Sequence, residues 1–66
     1  RLQDEGLRQA LDGLDPRSRR IIEARWLAEG EAATLHELAA EFQVSAERIR
    51  QIESKALQKM RGLLAA

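Results

Sequence analysis

TLHELAAEFQVSAERIRQIE, residues 34–53, predicts two helices joined by a short turn. Thr34 and Glu37 fit a capping box, in which the threonine hydroxyl accepts from the glutamate N–H and the glutamate side chain reaches back to the threonine N–H. Ser45 suits the N-cap of the second helix, and Val44 supplies an apolar plug between the two. Because this layout is typical of a helix-turn-helix, we expect that motif over residues 35–54.

The rest of the chain also has helical apolar spacing, and no window alternates like a strand. Asp15 suits an N-cap followed by Pro16 at the first helical position, and Gly30 suits a left-handed C-cap for the helix between them. We therefore expect one all-α domain over residues 1–66, with four helices at about 3–13, 16–28, 35–42 and 46–63.

Composition excludes several classes of function. The 66 residues contain no cysteine and one histidine, His36, so a disulfide framework, a Cys-rich zinc site and a thiol nucleophile are excluded. One histidine also provides too little for an acid–base site, and we expect no enzyme, metal, cofactor or small-molecule substrate. No apolar run approaches the roughly 20 residues that span a bilayer, which predicts a cytoplasmic protein without membrane contact. The chain starts at Arg1 rather than Met, as an excised piece of a longer chain would.

Charge is divided unevenly although the formal net charge is zero. Residues 1–44 carry six Lys/Arg against nine Asp/Glu, whereas residues 45–66 carry five against two. The balance is −3 in the first part and +3 in the second. Such asymmetry suggests an anionic partner for the second part, although a merely solvated helix face explains the charge equally well.

The fourth predicted helix separates into two faces when its residues are placed about 100° apart. Opposite sides of the helix carry an apolar stripe of Ile49, Ile52, Ala56, Met60 and Leu63, and a polar face of Glu47, Arg50, Gln51 and Ser54. The polar types are those that read base edges, since Arg can donate twice to guanine, Gln can pair with adenine, and Glu can accept from cytosine. A recognition helix enters the major groove by its N-terminal residues, where this face lies. The alternative is an ordinary solvated helix with a surface ion pair between Glu47 and Arg50.

VSAERIRQIESKALQKMR, preceded by TLHELAAEF and LDPRSRRIIEARWL, resembles region 4 of bacterial primary-type sigma factors of RNA polymerase. The resemblance covers about residues 11–64 and implies a helix-turn-helix domain similar to winged helices but without a wing. Ala46 and the run ARWL are most similar to the heat-shock sigma factors. It implies that the last helix reads the −35 promoter element in double-stranded DNA while the domain docks on the β-subunit flap of the polymerase core. Activators, anti-sigma factors and chaperones are candidate further partners.

The resemblance also implies roles for individual residues. The base-reading positions are Ala46, Glu47, Arg50 and Gln51. The positions near the DNA backbone are Arg17, Arg25, Thr34, Leu35, Arg48, Ser54 and Lys55.

Three positions depart from the pattern of the housekeeping sigma factors. Ala46 stands where they typically have a base-contacting Arg, so we expect a different −35 preference. Gln58 replaces a basic position on the surface that meets activators. Gln43 stands where many helix-turn-helix proteins use Gly, so we expect the turn to differ slightly or to carry a cost of about 1 kcal/mol.

Two assignments of aromatic and apolar residues stay open to alternatives. Trp26 is predicted to be core, paired with Ile22 one turn earlier, rather than a flap-binding or base-stacking residue. The apolar C-terminus GLLAA is either core or a partner-binding end. A helical protein-interaction domain and a free-standing helix-turn-helix regulator are the competing functions for the chain as a whole.

Overall fold

A computed structural model describes the backbone of residues 2–65 and the side chains of residues 5–64. Arg1 and Ala66, the ends of the predicted domain, lie outside the described residues. The elements are α1 (Leu2–Asp12), α2 (Pro16–Trp26), α3 (Leu35–Phe42) and α4 (Ala46–Ala65), with no strand within residues 2–65. The prediction of an all-α fold with four helices is confirmed.

Capping residues start three of the helices where the sequence predicts. Asp15 caps α2 by accepting from the Ser18 N–H at 3.3 Å, and Pro16 follows it in the first helical position. Thr34 caps α3 in a complete capping box, with bonds of 3.0 and 2.8 Å between it and Glu37. Ser45 Oγ accepts from the Arg48 N–H at 3.0 Å at the start of α4. These bonds satisfy N–H groups that have no partner within the helix.

The end of α2 differs from the sequence-based expectation. The helix ends at Trp26, and its C-cap is Leu27 rather than Gly30. The Ala33 N–H donates to the Ala24 carbonyl at 3.0 Å and so takes the acceptor that Ala28 would have used in a longer helix. Gly30 does have a left-handed backbone, with φ 97°, but it lies within the loop. The returning loop therefore sets the length of α2.

The turn between α3 and α4 keeps the left-handed geometry that usually favours glycine. Gln43 has φ 58° and ψ 46°. Its N–H donates to Ala40, and the Val44 N–H donates to Ala39 at 3.0 Å, which is the bonding pattern of a Schellman motif. Of the two expected alternatives, the left-handed turn at Gln43 is therefore the one that occurs, and a different turn is not. The conformation costs a residue with a Cβ about 1 kcal/mol, which the two bonds and the packing of Val44 offset.

Two apolar clusters hold the helices together, and α4 contributes to both. The first joins α2, α3 and the N-terminal half of α4 through Ile21, Ala24, Leu38, Ala39, Ile49 and Ile52. The second joins α1, α2 and the C-terminal half of α4 through Ala10, Leu14, Ile22, Ala56 and Met60. The predicted stripe on α4 is thus confirmed from Ile49 to Met60. Because this stripe faces inwards, the opposite side of α4 faces solvent.

Two residues predicted to be core are exposed. Leu63, the last member of the predicted stripe, is 46% exposed, and Trp26 is 57% exposed. Trp26 closes α2, and its indole N–H donates to the carboxylate of Glu53 at 2.8 Å, which holds the ring at the edge of the core. The pairing of Trp26 with Ile22 as core residues is therefore wrong for Trp26, whereas Ile22 is fully buried.

Candidate nucleic-acid interface

The first turns of α4 present a polar face to solvent. Glu47, Arg50 and Gln51 are all exposed, while Ile49 between them is buried. Ser54, one turn beyond Arg50, is exposed as well. We call Glu47, Arg50 and Gln51 the reading face. Ala46, the fourth predicted base-reading residue, is half-buried and packs against the first cluster, so only part of its methyl group is open to a ligand.

Glu47 and Arg50 of the reading face are paired with each other. Arg50 Nε donates to one glutamate oxygen at 3.0 Å, and Nη2 donates to the other. The hydrogen bond from Arg50 lowers the pKa of Glu47, and the same bond raises the pKa of Arg50. Two bonds leave three of the five guanidinium N–H groups of Arg50 without a partner among the described residues. The pair is therefore oriented and still able to bind a base edge.

A basic groove lies between the start of α2 and the polar side of α4. We use this name for the cavity of about 230 Å³ whose lining includes Arg17, Arg48, Lys55 and Lys59, together with Asp15. Asp15 accepts from the backbone and the hydroxyl of Ser18, and the hydroxyl bond lowers the pKa of its carboxyl. Four cations against one carboxylate make the groove suited to an anion. The structure thus brings together three of the residues predicted to lie near the DNA backbone.

Lys59 completes this groove but was not predicted as a site residue. The sequence does contain a signal for it, since Lys59 follows Lys55 at i+4 and therefore lies on the same side of the helix. Lys59 lies more than three turns after the start of α4, beyond the part of a recognition helix that normally reaches bases. A prediction based on base reading therefore does not include it. A groove that binds backbone phosphates is not limited to that part.

Arg25, Thr34 and Leu35 form a second group, at the other end of α2. Arg25 Nη1 donates to the Ala33 carbonyl at 3.0 Å, which places the guanidinium beside the start of α3. Thr34 is exposed, and its hydroxyl oxygen accepts from Glu37 within the capping box. The first N–H groups of α3 have no acceptor within the helix and favour anions. The basic groove and this group are separated by about 12 Å of helix axis, at 1.5 Å for each residue from Arg17 to Arg25.

Glu53 is a buried carboxylate that the sequence reasoning missed. It is 8% exposed and accepts from Arg25 Nε at 2.5 Å and from Trp26 Nε1 at 2.8 Å. The signal for it is weak: Glu53 lies one turn after Ile49 and beside Ile52, at the margin of the apolar stripe. A carboxylate at such a margin needs a partner, because an unpaired buried charge is costly. The partners come from α2 and could not be read from α4 alone.

Neither a membrane helix nor a metal cluster is found in the part of the chain that the structure describes. None of the helices within residues 2–65 is both long and apolar enough to cross a bilayer. The same residues contain no group of three or more His, Asp or Glu arranged to hold a metal ion.

Comparison with known proteins matches residues 10–62 to the family model described as Sigma-70, region 4. RNA polymerase sigma factor SigA of Clostridium acetobutylicum is 47% identical over 62 residues, which are 92% of this chain and 16% of that protein. RNA polymerase sigma factor SigA of Nostoc sp. is 48% identical over 58 residues, 86% of this chain and 15% of that protein. The chain thus spans about one sixth of the length of these relatives.

The matched residues include the whole helix-turn-helix, the reading face, the basic groove and Glu53. The family is one of transcription initiation factors and not a known enzyme family. On the extent of this match, the chain belongs to the sigma-70 region 4 family.

Proposed function

We propose that this chain is the −35-reading module of an RNA polymerase sigma factor. The observation that carries the proposal is the position of the reading face, which lies at the N-terminal end of α4 and directly opposite the buried stripe. A helix built in this way can enter the major groove by its first turns while its other side stays in the core. Membership of the sigma-70 region 4 family supports the same function.

The reading face recognises bases by the donors and acceptors that it presents. Arg50 donates to guanine O6 and N7, Glu47 accepts from cytosine N4, and Gln51 pairs with adenine. Because Glu47 already holds the Arg50 guanidinium, less side-chain entropy is lost when a base binds. The partly open methyl group of Ala46 meets a thymine methyl or leaves room beside it.

Backbone contacts position the reading face without specifying sequence. Arg17, Arg48, Lys55 and Lys59 of the basic groove bind phosphates at one end of α2. Arg25, with Thr34 and the N–H of Leu35, binds phosphate at the other end. Ser54 extends the reading face towards the sugar–phosphate backbone. Contacts at both ends of α2 would fix how far α4 is inserted into the groove.

An apolar groove on another side of the domain is proposed to dock on the β-subunit flap of the polymerase core. Its volume is about 720 Å³, and the lining includes Leu7, Trp26, Leu27, Leu57 and Leu64. Trp26, Leu27 and Leu64 are exposed, which is unusual for large apolar side chains unless they meet a partner. This placement favours the partner-binding alternative for the apolar C-terminus. Activators, anti-sigma factors and chaperones stay predictions, as does a cytoplasmic location.

The narrower assignment to heat-shock promoters has only Ala46 and the run ARWL in its favour. Both relatives carry the name SigA, so the comparisons give no support to the heat-shock subtype. A direct comparison of promoters decides the matter, because Ala46 stands at a position where a base contact is gained or lost.

The proposed function predicts a sequence preference that can be measured on three labelled duplexes. They carry a −35 element of the primary type, one of the heat-shock type, and a scrambled sequence. We expect at least one −35 duplex to bind about tenfold or more tightly than the scrambled one, since each bidentate base contact is worth about 1–3 kcal/mol. The measurement is fluorescence anisotropy at low salt, because a chain of zero net charge binds weakly at physiological salt.

The salt dependence of the same titrations separates the competing functions. With about four or five phosphates neutralised, the slope of log K against log salt is expected to lie between about −3 and −5. Equal binding of all three duplexes with that slope would refute sequence-specific reading and indicate a non-specific DNA-binding domain. A flat slope would favour a protein-interaction domain whose charge only solvates it. Tighter binding of the heat-shock duplex than of the primary one is the result that the subtype requires.

A further inference from the structure

We propose that Glu53 is a positioning residue for DNA binding: its carboxylate holds the Arg25 guanidinium so that the free N–H groups of that arginine face a backbone phosphate. The proposal rests on the proposed function, and it assigns a role to a residue that has no contact with DNA in that account. It follows from the hydrogen bonds of three side chains and one carbonyl group.

The Arg25 guanidinium is held by two hydrogen bonds. Nε donates to Glu53 Oε2 at 2.5 Å, and Nη1 donates to the Ala33 carbonyl at 3.0 Å. Both acceptors belong to the protein, and they fix the plane of the guanidinium at two points. Three of its five N–H groups, including both on Nη2, have no partner among the described residues. With the plane fixed at Nε and Nη1, the two N–H groups of Nη2 are left to bind phosphate.

Glu53 is itself held in place by side chains of α2. The same Oε2 atom accepts from Trp26 Nε1 at 2.8 Å, so the carboxylate is held by two donors from consecutive residues of α2. Burial of a carboxylate is costly, and a well-packed apolar residue would often serve stability as well or better. A buried glutamate whose partner is a half-buried arginine therefore points to a purpose other than packing.

The Glu53–Arg25 pair connects the proposed base contacts with the proposed backbone contacts. Glu53 belongs to α4, two residues after Gln51 of the reading face. Arg25 belongs to α2 and lies beside the start of α3 through Ala33. The Glu53–Arg25 pair thus ties the helix that reads bases to the arginine that binds the backbone. When Arg25 binds a phosphate, the position of α4 relative to the DNA is fixed by a bond rather than by a mobile side chain.

Glu53→Gln tests this role, because glutamine has the shape of glutamate but lacks its charge. We expect the affinity for the −35 duplex and for the scrambled duplex to fall by the same factor, about three- to tenfold at low salt. The slope of log K against log salt should become shallower by up to about one, as it does when one phosphate contact is lost. A loss confined to the −35 duplex would contradict the proposal, since phosphate contacts carry no sequence information.

A double-mutant cycle separates positioning from a merely structural role. If Glu53 acts through Arg25, Glu53→Gln should have no further effect on DNA affinity in a chain that already carries Arg25→Ala. Additive losses would contradict the proposal. Glu41→Gln is the matched control, since Glu41 also binds an arginine of α2, Arg20, through two hydrogen bonds of 2.9 and 3.0 Å. That pair is exposed, and neither of its residues is among the proposed DNA contacts, so its loss should leave DNA affinity unchanged.

Thermal unfolding of each variant shows whether the chain is folded at the temperature of the titration. If Glu53→Gln is not, Trp26→Phe replaces it, because it keeps an aromatic ring and removes only the indole N–H that anchors Glu53. We then expect a loss of about two- to tenfold for both duplexes, as is typical for one net hydrogen bond, and unchanged affinity would contradict the proposal.

The possible failures are distinguishable. Wild-type chain that binds both duplexes equally would refute base reading while the Glu53 test stays valid on either duplex. Wild-type chain that binds neither duplex would refute both proposals together. Suppose that the wild-type chain binds DNA and that Arg25→Ala weakens this binding. If Glu53→Gln then leaves the binding unchanged, only the role of Glu53 is refuted.

Discussion

Ile49→Ala is expected to lower the free energy of unfolding by about 2–5 kcal/mol, because it removes a fully buried side chain and leaves a cavity. Ile49 lies in the cluster that joins α2, α3 and α4, where the helices of the helix-turn-helix meet. A core in a domain of this size rarely supplies more than about 3–5 kcal/mol. The substitution should therefore unfold a large part of the molecules at room temperature.

Urea or thermal unfolding followed by far-ultraviolet circular dichroism measures this effect. Gln58→Ala is the control, since Gln58 is exposed on the same helix and its replacement should change stability by no more than about 0.5 kcal/mol. A loss below about 1 kcal/mol for Ile49→Ala would show that α4 does not depend on this cluster. The assignment of the opposite side of α4 to the reading face would then lose its basis.

Arg50→Ala is expected to reduce the preference for the −35 duplex over the scrambled duplex by about 1–3 kcal/mol, or roughly five- to 150-fold. The substitution removes the two donors for guanine and also releases Glu47, whose carboxylate is then free of its partner. The affinity for the scrambled duplex should change less, because Arg50 is not among the phosphate contacts and only one positive charge is lost. Competition titrations with both duplexes give the two numbers separately.

Arg20→Ala is the matched control for Arg50. Arg20 is an exposed arginine in an ion pair with Glu41, and it lies outside the reading face and the basic groove. Its removal subtracts one positive charge without touching the proposed base contacts, so the preference between the two duplexes should be kept. Equal loss of preference in both variants would mean that charge alone, rather than a specific contact, accounts for the effect of Arg50.

Local sequence patterns predict where three of the helices start and which side of α4 is buried. Asp15, Thr34 and Ser45 start helices because their side chains accept from N–H groups only a few residues away, and such bonds can be read from the sequence. The alternation of buried and polar positions on α4 follows equally from helical spacing. Ile49 and Arg50 are neighbours in sequence, and the period of the helix alone places them on different sides.

Contacts between distant residues account for what the sequence reasoning got wrong or missed. The hydrogen bond from the Ala33 N–H to the Ala24 carbonyl shortens α2, and no local sequence pattern predicts that bond. The helical spacing predicts Trp26 as a core residue, because its hydrogen-bond partner Glu53 lies 27 positions later and cannot be read from the local sequence. Lys59 joins the basic groove because the start of α2 lies against α4, which depends on how the helices pack.

The proposed function requires the first turns of α4 to enter the major groove of a −35 element. The most direct measurement is a titration of the isotope-labelled chain with the −35 duplex, followed residue by residue in two-dimensional NMR spectra. We expect the largest shifts at Glu47, Arg50 and Gln51 and smaller ones at the basic groove. We expect the scrambled duplex to shift only the residues of the basic groove. Shifts centred on Trp26 and Leu64, or the same pattern with both duplexes, would contradict it.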